Sequence, residues 1–326
     1  MIARMRKLLF DLDLQCLNTL RPSTRMVWML AFCFVLACLS GCHGNNIGVL
    51  NPKGIIAYEE RKLFFDTLAL MLIVVLPVII MSFTFVYHYQ ESHHIKDYEP
   101  NWSHSYFLES LWWGIPCLII FILAVLTWKK TYQLDPFHQI TDQTQSPLLV
   151  QVIALPWKWL FIYPEQDIAT VNYLVIPVGR QVEYWMTTDN VPMSAFFIPQ
   201  LGSQIYAMAG MRTRLHLLAN EAGVYDGMNT QFNGTGFSEM HFSVYAISPQ
   251  KMQQWVKDMK HHSQHLTTNT YNTLLIPSIG NKPLFFSGVQ ENLFQSVIDL
   301  YMHTYGTVHP RSNLMKLQSS KVQEEL

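Results

Sequence analysis

Charged side chains are scarce in this chain: they make up 14% of its 326 residues, whereas a typical soluble domain carries about 25%. With 50% hydrophobic residues, the shortage excludes a disordered chain, which needs low hydrophobicity and high charge. A net charge of −1 leaves no basic excess to neutralise phosphates, which excludes a nucleic-acid-binding protein. Five cysteines are too few for a disulfide scaffold. The composition therefore favours a membrane protein with a folded part attached.

The N-terminal region lacks any charged residue between Met26 and Pro52, and five basic residues precede this stretch. A basic region, a short apolar region and then small residues are typical of an export signal. The small residues are Leu39-Ser40-Gly41-Cys42, which resemble the lipobox of bacterial lipoproteins. The resemblance implies a signal peptide over 1–41 that is cut before Cys42, whose thiol then carries lipid, with palmitate among the acyl groups. Two alternatives stay open: an uncleaved first membrane helix, and a later start at Met5 or Met26.

Two further stretches are long enough to cross a membrane. Thr67–Gln90 holds 24 residues and Ser110–Trp128 holds 19, all without a formal charge. At 1.5 Å per residue, helices of about this length span a hydrocarbon core of about 30 Å. Aromatic residues frame both stretches, as is usual at membrane interfaces. We therefore predict a transmembrane hairpin with helices over 63–89 and 107–128 and a cytoplasmic loop over 90–106.

Two signals disagree about the orientation of this hairpin. The export signal places residues 42–62 and all residues after the second helix in the periplasm. The loop at 90–106 then carries one lysine against three acidic residues, while four basic residues flank the helices on the periplasmic side. The positive-inside rule favours the reverse arrangement. We follow the export signal as the stronger constraint, and the conflict stays open.

Short β-rich runs fill the region after the hairpin, with turn residues between them. They are Leu148–Ile153, Thr170–Pro177, Gln181–Thr187, Ala195–Ile198, Arg212–Ala219, Gly223–Gln231 and Ser238–Ile247. Many short strands at this spacing predict an antiparallel sandwich or barrel, which we assign to residues 129–248. The predicted fold class is thus a membrane-anchored α+β chain: a transmembrane hairpin, then an all-β sandwich with C-terminal helices.

The hydrophobic period changes from two to that of a helix after the last strand. Ser248-Pro249 is a helix-start signal, and an apolar face with helical spacing follows it: Met252, Trp255, Val256 and Met259. A second helix is predicted over Gln290–His303, with these residues turned inward: Leu293, Phe294, Val297, Ile298 and Tyr301. The helical extension covers 249–310, and a polar tail covers 311–326.

Local blocks of sequence make the interpretation more specific. They are Pro100–Ser105, Glu109–Pro116, Trp157–Pro164, Phe196–Met208, and Tyr225–Gly227 with Gly234–Met240. With the organisation above, they resemble subunit II of the heme–copper respiratory oxidases, in the quinol oxidase branch. The resemblance implies a cupredoxin-like sandwich within a proton-pumping, bo-type ubiquinol oxidase of the bacterial inner membrane. It implies subunits I, III and IV, membrane lipid and ubiquinol as partners, with heme b, heme o and copper held by subunit I.

A missing residue type distinguishes the two branches of this family. In the cytochrome c oxidase branch, the exported domain holds a binuclear copper centre that needs soft thiolates. Every cysteine in this chain lies at or before Cys117. By the resemblance, other residues stand at the ligand positions, and only the last matches its ligand: Ser194, Asn229, Asn233, Phe237 and Met240. The resemblance therefore implies no metal in this chain and no electron entry from cytochrome c.

Three other residues are candidates for a role by the same resemblance. Glu109 opens a membrane-spanning segment, where an acid is costly unless it faces a partner or water, and it aligns with the acidic mouth of a proton pathway into subunit I. An interfacial carboxylate solvated by head groups is the alternative. Trp157 and Trp159 resemble the tryptophan pair beside the copper centre of the other branch, and we assign them to packing and subunit contact. His261, His262 and His265 are interpreted as a solvated helix end rather than a metal site.

Two alternative functions stay open at this point. One is a copper-bearing cytochrome c oxidase subunit II, and the other is an independent, membrane-tethered binding lipoprotein. Charged residues make up about 14% of both residues 1–128 and residues 129–326. Since charge is depleted at large interfaces, the low charged fraction of residues 129–326 indicates an exported domain that a partner largely covers.

Overall fold

The computed structural model describes residues 48–89, 103–140, 145–191, 193–261 and 264–302. Several predictions fall elsewhere: the signal peptide and Cys42, most of the loop at 90–106, His262, and the chain from 303 onward. These lie outside the described residues and stay predictions.

Two long helices form the predicted hairpin. Helix α1 covers Ile55–His88 and helix α2 covers Tyr106–Gln133, and each is continuous through its internal proline. Both are long and apolar enough to cross a membrane, and their apolar segments are almost entirely exposed. Lys130 Nζ donates to Glu59 at 2.6 Å, which joins the two helices near the sandwich. Lipid or another protein must cover the remaining apolar surface of the hairpin.

The region after the hairpin folds into two facing β-sheets. The strands are β1 (Leu148–Leu155), β2 (Lys158–Tyr163), β3 (Ile168–Val171), β4 (Tyr173–Pro177), β5 (Val182–Thr188), β6 (Met193–Ile198), β7 (Gly202–Met208), β8 (Thr213–Leu217), β9 (Gly223–Asn229), β10 (His241–Ile247) and β11 (Leu284–Phe286). One sheet has the order β11-β3-β2-β1-β5-β8, and the other has β4-β10-β9-β6-β7. The predicted sandwich is confirmed.

The expectation of purely antiparallel sheets is wrong, because β1 pairs with β5 and β10 pairs with β4 in parallel. The predicted strand Thr170–Pro177 is in fact two strands that belong to different sheets. Asn172 separates them with φ of 54°, a left-handed conformation that asparagine tolerates better than most residues. Its buried Oδ1 accepts the backbone N–H of Trp159 at 2.8 Å. The chain changes sheets at this residue, so β4 reaches β10 in a parallel orientation.

Some elements carried no recognisable pattern in the sequence. All six residues of β2 are buried, so this strand shows no alternation of apolar and polar residues. Strand β7 begins at Gly202, which has φ of 112°, and strand β11 has only three residues. Helix α4 covers Thr268–Leu274, and its threonine- and asparagine-rich sequence is a poor helix signal.

The other two C-terminal helices match their sequence signals. Helix α3 covers Pro249–Lys260, and Ser248 caps it by accepting the backbone N–H of Lys251. Helix α5 covers Leu293–Met302, a slightly shorter span than predicted. Its five predicted inward residues are all buried. Helices α4 and α5 cover the outer face of β1, β2 and β3, and their apolar side chains form a second core there.

A buried carboxylate joins these helices to the sandwich. Asp189 follows β5 and has no exposed surface. The hydroxyls of Tyr271 on α4 and Tyr301 on α5 donate to its two carboxylate oxygens at 2.6 and 2.8 Å. The Tyr301 hydroxyl also accepts the backbone N–H of Asn190 at 2.8 Å. Since a buried charge is tolerated only when it is paired or hydrogen-bonded, the two tyrosines and the aspartate depend on one another.

The first membrane helix starts directly on the sandwich. The backbone N–H groups of Lys53 and Gly54 donate to Gln200 O at 2.7 and 3.1 Å. Glu60, in the second turn of α1, accepts both the backbone N–H and the hydroxyl of Ser203 at 3.0 Å. The sandwich therefore holds the start of α1 by backbone and side-chain hydrogen bonds.

Lys158 gives the sandwich a pH-dependent stability. It is 3% exposed, its Nζ donates to Ile276 O at 2.9 Å, and burial lowers its pKa from 10.5 to about 8. The unfolded chain therefore binds more protons between pH 8 and 10.5, so the free energy of unfolding rises with pH there, by at most about 1.4 kcal/mol per pH unit.

We expect Lys158→Met to remove this rise. Unfolding of the detergent-solubilised chain at pH 7.5, 8.5 and 9.5 measures the difference between variant and parent. Burial also raises the pKa values of Tyr163 and Tyr184, which makes the free energy of unfolding fall with pH. The three pH values lie below the range in which this opposite effect is large. An identical pH dependence in both proteins would contradict the prediction.

Candidate functional site

Four of the five residues that the resemblance places at copper-ligand positions come together in the structure. Ser194 lies on β6, Asn229 ends β9, Asn233 lies in the following loop, and Met240 immediately precedes β10. Ser194 and Met240 are fully buried, and Asn229 is nearly so. Antiparallel pairing of β9 with both β6 and β10 places these positions at one end of the five-stranded sheet. We call these four residues the amide cluster.

Asn229 is the centre of the amide cluster. Its Oδ1 accepts the backbone N–H of Ala195 at 2.8 Å and that of Gln231 at 3.1 Å. Its Nδ2 donates to Gln231 O at 2.7 Å. One side chain thus fixes the end of β9 to β6 and shapes the loop that follows.

The Met240 sulfur completes the amide cluster. Asn229 Nδ2 lies 3.4 Å from it and Asn233 Nδ2 lies 3.2 Å from it, each as a donor. Asn233 Nδ2 also lies 3.5 Å from Ser194 Oγ. The donor atoms present are two carboxamides, one hydroxyl and one thioether, and the sulfur already faces two N–H groups. A binuclear copper centre needs bridging thiolates, so these residues do not fit one.

The fifth residue, Phe237, stands apart from the amide cluster. It begins a short 3₁₀ helix over Phe237–Glu239, and its ring packs against Phe232 with centroids 5.7 Å apart. Phe232 is among the most exposed apolar side chains of the described residues, at 72%. An aromatic pair therefore forms the outer side of the loop.

The two tryptophans occupy different environments. Trp157 lies in the tight β1–β2 turn with φ of 59°, and its Nε1 donates to Asn233 O at 3.2 Å. A Cβ on Gly236 would lie 2.3 Å from the Trp157 ring, so only glycine fits there. Trp159 is fully buried, with its ring 5.4 Å from Phe196. Trp157 thus fastens the loop from outside, and Trp159 packs within the core.

Glu109 lies far from the amide cluster. It is an exposed residue in the first turn of α2, where a carboxylate interacts favourably with the helix dipole. Gln133, which ends α2, lies 24 positions after Glu109, about 36 Å along the helix. Glu109 and the sandwich therefore lie at opposite ends of the membrane span.

The histidines after α3 add little to the amide cluster. His261 follows the last residue of α3, and both it and His265 are exposed. Within the described ranges, no three His, Cys, Asp or Glu side chains are grouped so that they could hold a metal ion. The contacts that sequence reasoning missed are the Ala195 N–H and the Gln231 backbone, which a residue-type pattern cannot reveal.

Comparison with known proteins agrees with the fold. The family described as "Cytochrome C oxidase subunit II, periplasmic domain" matches residues 127–247, and the "COX Aromatic Rich Motif" matches residues 260–304. Cytochrome bo(3) ubiquinol oxidase subunit 2 of Pseudomonas aeruginosa is 45% identical over 265 residues, which cover 81% of this chain and 78% of that protein. The chain belongs to the ubiquinol oxidase subunit 2 family. Ubiquinol oxidase subunit 2 of Acetobacter aceti is 40% identical over 88% of this chain and 92% of that protein.

Membership of the ubiquinol oxidase subunit 2 family confirms the resemblance inferred from the sequence blocks. It also confirms the fold class, since the cytochrome oxidase domain covers β1 to β10 and the aromatic-rich motif covers β11 with helices α4 and α5. A solved structure, the periplasmic domain of cytochrome oxidase subunit II of Bradyrhizobium japonicum, aligns at 19% identity with a TM-score of 0.34 over 35% of this chain and 94% of that chain. A likeness this weak carries no argument about the site.

We expect Asn229→Ala to destabilise the ubiquinol oxidase subunit 2 sandwich by about 2–3 kcal/mol, because it leaves the buried Ala195 N–H without its acceptor. Asn233→Ala is the matched control. It removes only a contact to a weak thioether acceptor and a 3.5 Å contact to a hydroxyl, so its cost stays below about 1 kcal/mol. Thermal unfolding of the two solubilised variants measures the difference. Equal losses would show that Asn229 does not organise the loop.

Proposed function

We propose that this chain is the second subunit of a proton-pumping ubiquinol oxidase and that it carries no redox centre itself. The amide cluster is the observation that carries the proposal. Its four residues hold the loop by hydrogen bonds within the chain, and none of them is a thiolate. Electrons would therefore enter the complex elsewhere, from ubiquinol, without passing through this sandwich.

The partners follow from the surfaces that the chain leaves uncovered. The hairpin exposes nearly all of its apolar side chains, and the sandwich is as poor in charge as the membrane-proximal half. Both features favour a chain that packs on a large membrane subunit and covers its periplasmic face. We assign heme b, heme o and copper to that subunit I, and further contacts to subunits III and IV.

Purification in a mild detergent through a tag on this chain tests the proposal. We expect a complex that shows b- and o-type heme absorption and oxidises ubiquinol with reduction of oxygen to water. A colourless chain that purifies alone would refute the assembly and favour an independent lipoprotein. Copper that stays with the chain after the other subunits are removed would refute the absence of a redox centre, so the two parts fail separately.

The anchoring proposal concerns the leader. We propose that the chain reaches the bacterial inner membrane as a lipoprotein with its sandwich in the periplasm, supported by the Leu39–Cys42 lipobox resemblance after a basic and apolar leader. Mass spectrometry of the mature N-terminus tests it. A diacylglycerated, acylated Cys42 is the expected result, and an intact N-terminal leader would contradict it.

Glu109 is proposed to collect protons for a pathway into subunit I. Its place at the end of α2 opposite the sandwich supports this role, because the periplasmic sandwich then leaves Glu109 on the cytoplasmic side. We expect Glu109→Ala to slow turnover and proton uptake several-fold in the assembled complex, and Glu109→Asp to retain most of both. Glu165→Ala, an exposed carboxylate on the sandwich, is the control. Unchanged proton uptake in a fully assembled Glu109→Ala complex would refute the role.

A further inference from the structure

The outer face of β5 and β8 carries two arginines stacked on a tryptophan. The Cζ atoms of Arg212 and Arg214 lie 4.4 and 5.8 Å from the centroid of the Trp185 ring. Arg214 is directly opposite Trp185 in the strand pairing. Trp185 Nε1 donates to Glu183 Oε1 at 2.7 Å, which fixes the orientation of the ring. We call Trp185, Arg212 and Arg214 the arginine platform.

The charges of the arginine platform are not compensated within the described part of the chain. Both arginines are exposed, and no carboxylate lies within 4.0 Å of either guanidinium there. Glu183 is the nearest acid by strand register, but it holds the Trp185 N–H and faces His216 at 3.9 Å. In a domain with so few charged residues, two adjacent exposed cations without an ion pair in the described part of the chain are available to a group outside the chain.

A groove borders the arginine platform. Its volume is about 690 Å³, and its wall mixes apolar and polar side chains: Trp185, Ile162 and Phe294 lie beside Gln295 and the carboxylates of Asp167 and Glu291. Two methionines are exposed close to Arg212 in the chain or near Gly210, Met211 at 48% and Met302 at 59%. Tryptophan, arginine and methionine are enriched at protein interfaces. The platform therefore lies beside a recess of mixed polarity, and its two guanidinium groups are held against the Trp185 ring.

The position of the platform argues against a lipid ligand. Strand β8 runs toward helix α1: His216 Nδ1 contacts Pro136 O just after α2, and Ala219 pairs with Gly54 just before α1. Arg212 lies seven residues before Ala219, about 23 Å along an extended chain. Charges at that separation are screened at physiological salt, where the Debye length is about 8 Å.

We infer that the arginine platform binds an acidic extramembrane segment of another polypeptide in the same membrane complex. A carboxylate receives paired N–H donors from a guanidinium, and stacking on Trp185 holds the guanidinium groups in place before binding. The inference rests on the proposed function, since it takes the partner to be another subunit of the oxidase.

Photocrosslinking in intact membranes tests the contact. p-Benzoylphenylalanine replaces Arg212 in the full chain, and Val224, which is also exposed and lies on β9, is the control position. We expect an adduct from position 212 on an Asp- or Glu-containing segment of another subunit. An adduct on residues 303–326 of this chain, on lipid only, on a segment without acids, or no adduct at all would overturn the inference.

Charge reversal tests the electrostatics in the purified complex. We expect Arg212→Glu with Arg214→Glu to lower, at least twofold, the NaCl concentration at which this chain dissociates. Arg212→Lys with Arg214→Lys should restore part of that resistance. Lys251→Glu with Lys260→Glu changes the net charge equally on exposed α3 positions. If the double reversal at 212 and 214 dissociates at the same NaCl concentration as this control, the inference is overturned. Heme that still co-purifies with the variant would leave the proposed function intact.

Discussion

We expect the double substitution Tyr271→Phe with Tyr301→Phe to lower the free energy of unfolding by about 3–5 kcal/mol. Asp189 is fully buried, and the substitution removes a hydroxyl donor from each of its carboxylate oxygens. Hydrogen bonds to a charged group contribute about 1.5–3 kcal/mol each. The loss also frees helices α4 and α5, since each tyrosine belongs to one of them.

Urea or thermal unfolding of the solubilised chain measures this loss, and limited proteolysis reports the release of α4 and α5. Tyr206→Phe removes a hydroxyl from an exposed tyrosine on β7, so it should change stability by less than about 0.5 kcal/mol. The single variants locate the effect, because each keeps the other tyrosine hydroxyl on Asp189. A double variant as stable as Tyr206→Phe would show that the carboxylate does not hold the C-terminal helices.

The second large effect is expected at the start of helix α1. A Cβ on Gly54 would lie 2.7 Å from the backbone oxygens of both Leu201 and Leu218. Neither oxygen can move without displacing a segment of the sandwich, so Gly54→Ala must separate α1 from it or distort both. Overpacking of this kind costs about 1–3 kcal/mol and occasionally more, and we expect the upper end of that range.

Gly114→Ala is the matched control for this substitution. Gly114 lies within α2, and a Cβ there would meet no atom of the chain within 4 Å. Because alanine favours a helix interior over glycine by about 0.5–1 kcal/mol, this control should be neutral or slightly stabilising. Thermal unfolding and assembly yield of the two variants measure the difference. Equal behaviour would show that Gly54 is not a close contact between helix and sandwich.

The parts of this fold that the sequence predicted are those with local signals. Ser248-Pro249 marks the start of α3 by capping chemistry, and α5 is amphipathic, so each needs only its own residues to be recognised. Asn172 shows the limit of such reasoning. Asparagine tolerates the left-handed conformation, but the change of sheet also depends on the buried N–H of Trp159, which lies 13 residues away.

The candidate site also contains residues that the sequence predicts and contacts that only the folded chain shows. The amide cluster was found through a family resemblance, since Ser194 and Met240 are separated by 46 positions and share no local pattern. The family resemblance identifies which residues stand at the copper-ligand positions. It does not identify the hydrogen bonds that those residues make, because donors such as the Ala195 N–H belong to the backbone. Asp189 and Tyr301 lie 112 residues apart, and only the folded chain shows that they meet.

The amide cluster also bears on how the chain matures. In the loop between β9 and β10, the described contacts that close the structure are made by Asn229, Asn233, Met240 and Trp157, all of which are present as soon as the polypeptide is made. A metal-centred loop would need an ion to be delivered and, for thiolates, cysteines kept reduced in an oxidising compartment. This loop needs neither. Its folding and its maturation are one event, so a shortage of copper during biogenesis should not delay this sandwich.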